Sequence, residues 1–340
     1  MRNRSQRRGA VRAIGIFVIV VLSTTLPFDA RLSIAAPPEA TSQSLTVGLA
    51  RRSRPHTSSA RRAFARRSPW NRPIPDRPKV ARRSRSISRY LGAGPKGSVV
   101  ANLYSYGVPI FRATRHTRRL RVRCTRPWGR CGLERRRVPI PRRARPSPGS
   151  DRAMVVRTAK RSYEFWRARK AKRGWRADWG GVARIGGWGR SRRGRLPTGA
   201  GLSRLAGVVT VREMKRRKVR HALVFSTNNS CRRRYRYPAA KTDGTSERRD
   251  CIPLGARIQL KPWIGLRGRD LTPGERVVAR ALKRYGGYAI DSGGARMALI
   301  FENPIGQRNP YPGAGFRYDY YDMPHIPWRA LRVLRRWNGH

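Results

Sequence analysis

The sequence predicts a mainly β fold of the α+β class, with an antiparallel β-sandwich or jelly-roll-like core. Three observations support this prediction. Short β-branched and aromatic runs recur along the chain, clusters of Gly, Pro and Arg separate them, and only one segment has a strong helical pattern. A single β-rich domain over residues 68–340 is therefore expected, beginning near Trp70.

The first 36 residues have the pattern of a signal peptide. A basic stretch that includes Arg7 and Arg8 precedes an apolar run over 13–22, and small residues follow at Ala35 and Ala36. The run is shorter than the roughly 20 residues of a membrane span, so cleavage and secretion are expected, with an uncleaved signal anchor at the cell surface as the alternative. Residues 37–67 contain few large apolar groups and are predicted to be a disordered basic arm.

Six runs of strand-forming residues are expected to form single strands, and a hairpin is expected near the end of the chain. In the hairpin, residues 287–291 and 295–301 flank the turn Ser292-Gly293-Gly294. The single strands are predicted over 98–104, 108–111, 153–157, 163–166, 219–226 and 257–261.

One well-capped helix is predicted over 272–285. Thr272 and Glu275 form a capping box with Pro273 at the first helical position, and apolar residues recur on one face until Gly286. A second capping box at 210–213 predicts a shorter basic helix, and 328–337 predicts a final amphipathic turn.

Charge points to an anionic partner. The chain has 79 Lys and Arg against 17 Asp and Glu, a formal net charge of +62. Because export disfavours nucleic acid, an anionic polysaccharide or wall polymer is the expected ligand, with an anionic membrane surface as an alternative. The candidate ligand-binding residues combine arginine, lysine and aromatic side chains: Trp166, Trp175, Arg232, Arg233, Arg234 and Lys241.

Four cysteines fall into two pairs that are close in sequence, Cys124 with Cys131 and Cys231 with Cys251. Two disulfides would suit an oxidising location and would each contribute roughly 2 to 3 kcal/mol. A zinc site is the alternative, but zinc ligands usually come as cysteine pairs two to four residues apart.

Seven segments of the chain form a recognisable set: SPWNRPIP at 68–75, YEFWRARK at 163–170, HALVFST at 221–227, YPAAKTDG at 237–244, CIPLGARIQL at 251–260, YGGYAIDSGG at 285–294 and YYDMPHIPW at 320–328. Together they resemble an uncharacterised family of secreted actinobacterial proteins, for which no activity is established. The resemblance covers most of residues 68–340 and departs from the family in its charge, as at 232–234.

Three of the scarce acids are candidate catalytic groups. Asp291 and Glu302 could supply the two carboxyl groups of a glycoside hydrolase, because the predicted hairpin would bring them near each other. Asp243 is a further candidate catalytic acid. A polysaccharide lyase could instead use His221 and Tyr237 beside the arginines at 232–236.

Neither a metal nor a cofactor is predicted. Asp319, Asp322 and His325 have metal-capable side chains, but structural hydrogen bonding is the simpler interpretation of that spacing in a loop. The leading expectation is a secreted protein that binds anionic polysaccharide. A lyase or hydrolase acting on such a glycan is the alternative, and a membrane-anchored nucleic-acid binder is a weaker one.

Overall fold

The computed structural model describes residues 63–134 and 136–335. The predicted signal peptide and the 37–62 part of the predicted arm lie outside the described residues. Residues 63–67 of the predicted arm are described, and Phe64 is buried in the core.

The described part of the chain is mainly β, as predicted. Its three α-helices are α1 (Ser84–Gly92), α2 (Val211–Lys215) and α3 (Pro273–Arg284). Its sixteen strands, in chain order, are β1 (Val99–Asn102), β2 (Ile110–Arg112), β3 (Arg119–Cys124), β4 (Arg137–Pro139), β5 (Met154–Arg157), β6 (Arg161–Trp166), β7 (Arg169–Ala171), β8 (Gly174–Ala177), β9 (Trp179–Arg184), β10 (Leu223–Thr227), β11 (Ser230–Tyr235), β12 (Ile252–Leu254), β13 (Arg257–Leu260), β14 (Gly287–Ser292), β15 (Met297–Ile300) and β16 (Leu331–Val333).

Six strands form the central sheet, in the order β1-β15-β10-β14-β13-β16. All six predicted single strands overlap an observed strand, but eight of the sixteen observed strands were not predicted: β3, β4, β7, β8, β9, β11, β12 and β16. The sheet is mixed, because β1 pairs parallel to β15 and β10 pairs parallel to β14. The expectation of purely antiparallel sheets is thus wrong, and a sandwich or jelly-roll topology is not confirmed.

The predicted hairpin does not form. Both of its strands exist as β14 and β15, but β10 lies between them, antiparallel to β15 and parallel to β14. A Ser-Gly-Gly turn indicates that the chain reverses direction. It does not determine which strands pair, because pairing depends on how the apolar faces of all the strands are buried. Asp291 and Glu302 therefore do not lie on adjacent strands.

Two further four-stranded sheets lie mostly between β1 and β10 in the chain. Their orders are β2-β5-β6-β9 and β4-β3-β8-β7, and both contain one parallel pair. They enclose a second apolar cluster in which Phe165, Leu133 and Val138 are fully buried. The short pair β11-β12 carries one of the two disulfide loops.

Both predicted capping boxes are present, at Thr210–Glu213 and Thr272–Glu275. Helix α3 buries its predicted apolar face against β13, and two side chains from β13 donate to its last carbonyls. Gln259 Nε2 donates to Lys283 O at 2.7 Å, and Arg257 Nε donates to Tyr285 O at 2.8 Å. These donors satisfy backbone acceptors that a helix end leaves unpaired.

The predicted amphipathic turn at 328–337 is only in part helical. A 3₁₀ turn over Trp328–Ala330 leads directly into β16, which pairs with β13. Edge pairing with the central sheet satisfies more backbone groups than a short isolated helix would.

Candidate functional site

Asp291 lies at the carboxyl end of β14, where the strand departs from regular pairing. Phe225 pairs with Ala289 and the next residue, Ser226, pairs with Asp291, so Ile290 is an extra residue in β14. A bulge of this kind redirects the side chain that follows it. The Asp291 carboxyl consequently meets the segment around residue 199 in place of a neighbouring strand.

Two donors hold this carboxyl group. The backbone N–H of Gly199 donates to Oδ1 at 2.8 Å, and Arg204 Nη2 approaches Oδ2 at 3.4 Å. Only 19% of the Asp291 side chain is exposed. Orientation of the group is therefore set from two sides.

Burial raises the pKa of Asp291 to about 8. The Arg204 guanidinium opposes this shift, whereas the neighbouring carboxylates of Asp243 and Asp151 increase it. Desolvation and like charge both disfavour the ionised form of a carboxyl group. Asp291 is thus mostly protonated at neutral pH and can donate a proton.

Asp243 is the second carboxyl group of the site. Its Oδ1 accepts a hydrogen bond from Ser292 Oγ at 2.8 Å, and Ser292 Oγ also lies 2.6 Å from Ser230 Oγ. A Cβ atom on Gly199 would lie 2.2 Å from Asp243 Cγ, so a larger residue at this position would displace the Asp243 carboxyl group.

Asp243 and Asp291, the acid pair, thus flank one glycine. Their carboxyl groups are no further apart than the about 9.5 Å that glycosidases reach. The environments of the two groups differ: one is tied to a serine hydroxyl and the other is buried beside an arginine. When two carboxyl groups lie in different environments, one can act as the general acid and the other as the base or nucleophile.

Arg204 is itself fixed by buried groups. Its Nη2 donates to Pro197 O at 3.2 Å, and its backbone N–H donates to Glu164 Oε2 at 2.7 Å. Glu164 also accepts from Ser162 Oγ at 2.7 Å and from Ser203 Oγ. Burial raises the pKa of Glu164, and these hydrogen bonds oppose the shift. The network holds Arg204 rigidly beside Asp291.

An aromatic cleft of about 380 Å³ includes Lys241, which precedes Asp243 by two residues in the chain. Trp128 is 56% exposed and stacks on Trp166 with ring centroids 5.6 Å apart. Trp166 Nε1 in turn donates to Asp151 Oδ1 at 2.9 Å, and Asp151 is one of the charges that act on Asp291. This tryptophan cleft is lined by Trp128, Gly129, Arg130, Trp179, Arg193, Gly194, Arg195 and Lys241.

Both disulfides close loops that contribute to the site. The bond between Cys124 and Cys131 closes the loop that carries Trp128, and the bond between Cys231 and Cys251 closes the loop that carries Lys241 and Asp243. The predicted pairing is confirmed, and it indicates an oxidising location. Each bond limits the freedom of residues that face the cleft.

Glu302 lies at the other end of the central sheet. The register places Asp291 opposite Ser226 and Ser226 opposite Ala298. Four residues separate Ala298 from Glu302, about 13 Å along a strand. Glu302 instead accepts from Val211 N–H at 2.8 Å. The structure does not bring it together with Asp291.

His221 precedes β10 and so lies at the same end as Glu302. Its Nε2 is 3.0 Å from Glu213 Oε1, and its Nδ1 is 2.9 Å from Ala222 O. Burial raises the pKa of Glu213, but the interaction with His221 and the hydrogen bonds from Thr210 outweigh it and lower that pKa overall. His221 therefore has a structural ion-pair partner.

The remaining candidates are dispersed. Tyr237 lies under Arg190, whose guanidinium carbon is 4.7 Å from the ring centroid, and burial raises the pKa of its phenol. Arg232 pairs with Glu247 at 2.5 Å, Arg234 donates to Cys251 Sγ at 3.0 Å, and Arg233 is exposed.

Trp166 and Lys241 lie at the tryptophan cleft, as described above. Trp175 is only 4% exposed and packs against Phe165, so its ring faces are not free to stack on a ligand.

The predicted structural role of the loop acids agrees with the observed contacts. Asp319 accepts from the backbone of Leu103, Tyr104 and Ser105, and His325 Nδ1 is 2.9 Å from Glu275 Oε2. No cluster of three or more metal-ligating side chains occurs within 63–134 and 136–335.

Sequence reasoning missed Arg204, Gly199, Glu164, Asp151 and Trp128 as parts of the site. Because acidic residues are scarce in this chain, Glu164 and Asp151 could have been recognised from the sequence as candidates. Glu164 interrupts an apolar strand, and an acid buried there needs several donors.

Comparison with known protein families, characterised proteins and solved structures finds no match for this chain. Among the described residues, no helix is long and apolar enough to cross a membrane.

Proposed function

We propose that this protein binds an anionic polysaccharide in the tryptophan cleft and that the acid pair hydrolyses a glycosidic bond beside it. One observation carries the proposal: two carboxyl groups flank Gly199, and burial raises the pKa of one of them to about 8. Glycoside hydrolysis requires two carboxyl groups within reach of one glycosidic bond, one of which can donate a proton.

Binding is supported by the composition of the cleft. The exposed ring of Trp128 offers an apolar face for the C–H groups of a sugar ring. Arg130, Arg193, Arg195 and Lys241 offer donors to carboxylate or sulfate groups. A neutral glycan would use only the first of these contacts, so an acidic glycan is the better ligand.

The chemistry assigns one role to each acid. Asp291 donates its proton to the glycosidic oxygen as the C–O bond breaks, and the departing sugar leaves as an alcohol. Asp243 either attacks the sugar carbon or takes a proton from the attacking water, according to the separation of the two carboxyl groups. Water supplies the hydroxyl at the new reducing end, and Asp291 regains its proton by the end of the cycle.

An extracellular site of action belongs to the same proposal. Both disulfides support it, as does the resemblance to a family of secreted proteins. Membership of that family is likewise proposed on the segments named above.

The test incubates the disulfide-bonded protein with acidic and neutral polysaccharides and measures new reducing ends and unsaturated uronates. Wild type is expected to release reducing ends from an acidic polymer, and Asp291→Asn and Asp243→Asn are each expected to lower the rate at least about a hundredfold. Both variants should retain binding.

Glu302→Gln is the matched control, because it is a carboxyl group at the opposite end of the sheet. Unsaturated products that depend on His221 would replace the hydrolase by a lyase. If the protein retains acidic glycan but forms neither product, it binds the glycan without cleaving it, and the hydrolase proposal is wrong.

A further inference from the structure

A second and larger groove, of about 1050 Å³, lies on the sheet β4-β3-β8-β7. Eight of its fifteen lining residues are Lys or Arg and none is acidic. Arg119, Arg121, Arg137 and Arg142 come from β3, β4 and the segment after β4, and Lys170 and Arg173 come from β7 and the turn before β8. None of these residues lines the tryptophan cleft.

The strand register builds a row of arginines on the exposed face of this sheet. Arg119, Arg121 and Arg123 alternate along β3 and are all exposed. Arg137 is the direct partner of Arg121, and Arg176 is the direct partner of Arg123. Side chains on one face repeat about every 6.7 Å along a strand and about every 4.8 Å between strands.

The opposite face of the same strands is buried. Val122, Val138 and Trp175 belong to the second apolar cluster. The alternation therefore fixes the arginines on the outer face, since a shift of one residue would bury them.

Like charges placed directly opposite each other destabilise a sheet. Elsewhere in this part of the chain arginines surround an acid: Arg126, Arg167 and Arg169 lie 3.5, 3.2 and 3.3 Å from Asp178. The groove has no such acid among its lining residues. An external anion is the group that would relieve the repulsion.

We propose that this groove is a second binding site, which holds an acidic polysaccharide chain across several of its charged sugars. It acts as an anchoring site for the polymer and does not depend on whether the acid pair cleaves a bond. The regular spacing of the cations suits a polymer with a regularly repeated charge better than it suits a single small anion.

Nucleic acid fits the groove less well. Proteins that bind single strands combine cations with aromatic rings on which bases stack. Among the described residues that line the groove, Trp175 is the only aromatic one, and it is 4% exposed. The disulfides, which indicate an oxidising location, favour an extracellular polymer as well.

The test compares two variants that change charge equally. Arg121→Glu combined with Arg137→Glu alters the groove, and Arg216→Glu combined with Arg280→Glu alters two exposed arginines outside it. Binding of polygalacturonate, neutral dextran and duplex DNA is measured by titration at several salt concentrations. The titrations are repeated with Asp291→Asn so that hydrolysis of the probe is not mistaken for weak binding.

The groove variant is expected to bind polygalacturonate at least about tenfold more weakly, with a shallower salt dependence, because two contacts to uronate carboxylates are lost. The control variant should change affinity less than about twofold, because neither of its arginines lines the groove. Dextran should bind no variant through this groove.

Three results would overturn the proposal. Equal weakening in both variants would mean that binding follows total charge and not this groove. Unchanged affinity in the groove variant, with native circular dichroism, would exclude the groove as a site. Tighter binding of DNA than of polygalacturonate, lost in the groove variant alone, would make it a nucleic-acid site. The milder pair Arg121→Gln and Arg137→Gln replaces the first variant if that variant does not fold.

Discussion

The proton on Asp291 depends on contacts from three separate parts of the chain. β14 carries the residue, the segment at 199–204 surrounds it, and Asp243 approaches from the second disulfide loop. The pKa of an isolated aspartate is about 3.9, so the value of about 8 comes from the fold.

We expect hydrolytic activity to fall as pH rises through about 8. Below that value Asp291 carries the proton that it must donate, and above it the proton is lost. The kcat/KM of wild type measured from pH 6 to 10 checks this expectation.

The stability contributed by the raised pKa of Asp291 is also present at low pH and is lost as pH rises through about 8. Circular dichroism at each pH must therefore show whether a lower rate comes from deprotonation of Asp291 or from unfolding of the protein. A rate that stays level to pH 10 in folded protein would contradict the assignment of Asp291 as the acid.

Replacing Glu164 by alanine is expected to destabilise the protein by about 3 kcal/mol, because buried donors are left without an acceptor. Those donors are Ser162 Oγ, Ser203 Oγ and the N–H of Arg204. Urea unfolding measures the change. The control Glu247→Ala removes an exposed ion pair with Arg232 and should cost less than about 1 kcal/mol. Similar losses in both variants would mean that the buried network contributes little.

Helix starts were the elements most open to prediction. Each capping box satisfies donors within four residues, so Thr210–Glu213 and Thr272–Glu275 could be found from local sequence. Strand partners could not, because the pairs of β14 and β15 with β10 join residues more than sixty apart.

At the end of α3, we expect Gly286→Ala to be more destabilising than Gly97→Ala. Both glycines have positive φ, +67° and +80°, so alanine carries a conformational cost of about 1 kcal/mol at each. At Gly286 the new Cβ would also lie 2.2 Å from Ile258 O, whereas at Gly97 it would meet nothing within 4 Å. Thermal unfolding of the two variants gives the difference directly. Equal losses of stability in the two variants would show that the backbone of β13 can move away from the new Cβ without a measurable loss of stability.

At the scale of the whole molecule, the two disulfides both stabilise the fold and hold loops that carry residues of the site. Their loops differ in length, with sequence separations of 7 and 20, so the chain-entropy model assigns about 2 kcal/mol to the first and about 3 kcal/mol to the second.

We expect Cys231→Ser combined with Cys251→Ser to lower the free energy of unfolding by about 3 kcal/mol and to reduce activity further than stability alone explains. The reason is that the released loop carries Lys241 and Asp243. Cys124→Ser combined with Cys131→Ser should cost less stability and chiefly weaken glycan binding, since its loop carries Trp128. Urea unfolding, hydrolysis and binding are measured on both. Full activity in the first variant at a temperature where it is folded would mean that the loop does not position Asp243.

By itself, the sequence determined the mainly β class, the capped helices, the cysteine pairs and the excess of positive charge, because each depends on composition or on contacts within about twenty residues. Only the tertiary structure decided which acids meet. In the structure Asp291 and Asp243 lie around Gly199, whereas Glu302 and His221 lie at the other end of the sheet. The tertiary structure also set the arginines of β3 opposite those of β4 and β8. Strand order, a bulge and burial produce these results, and they arise from pairing between distant segments that no local pattern records.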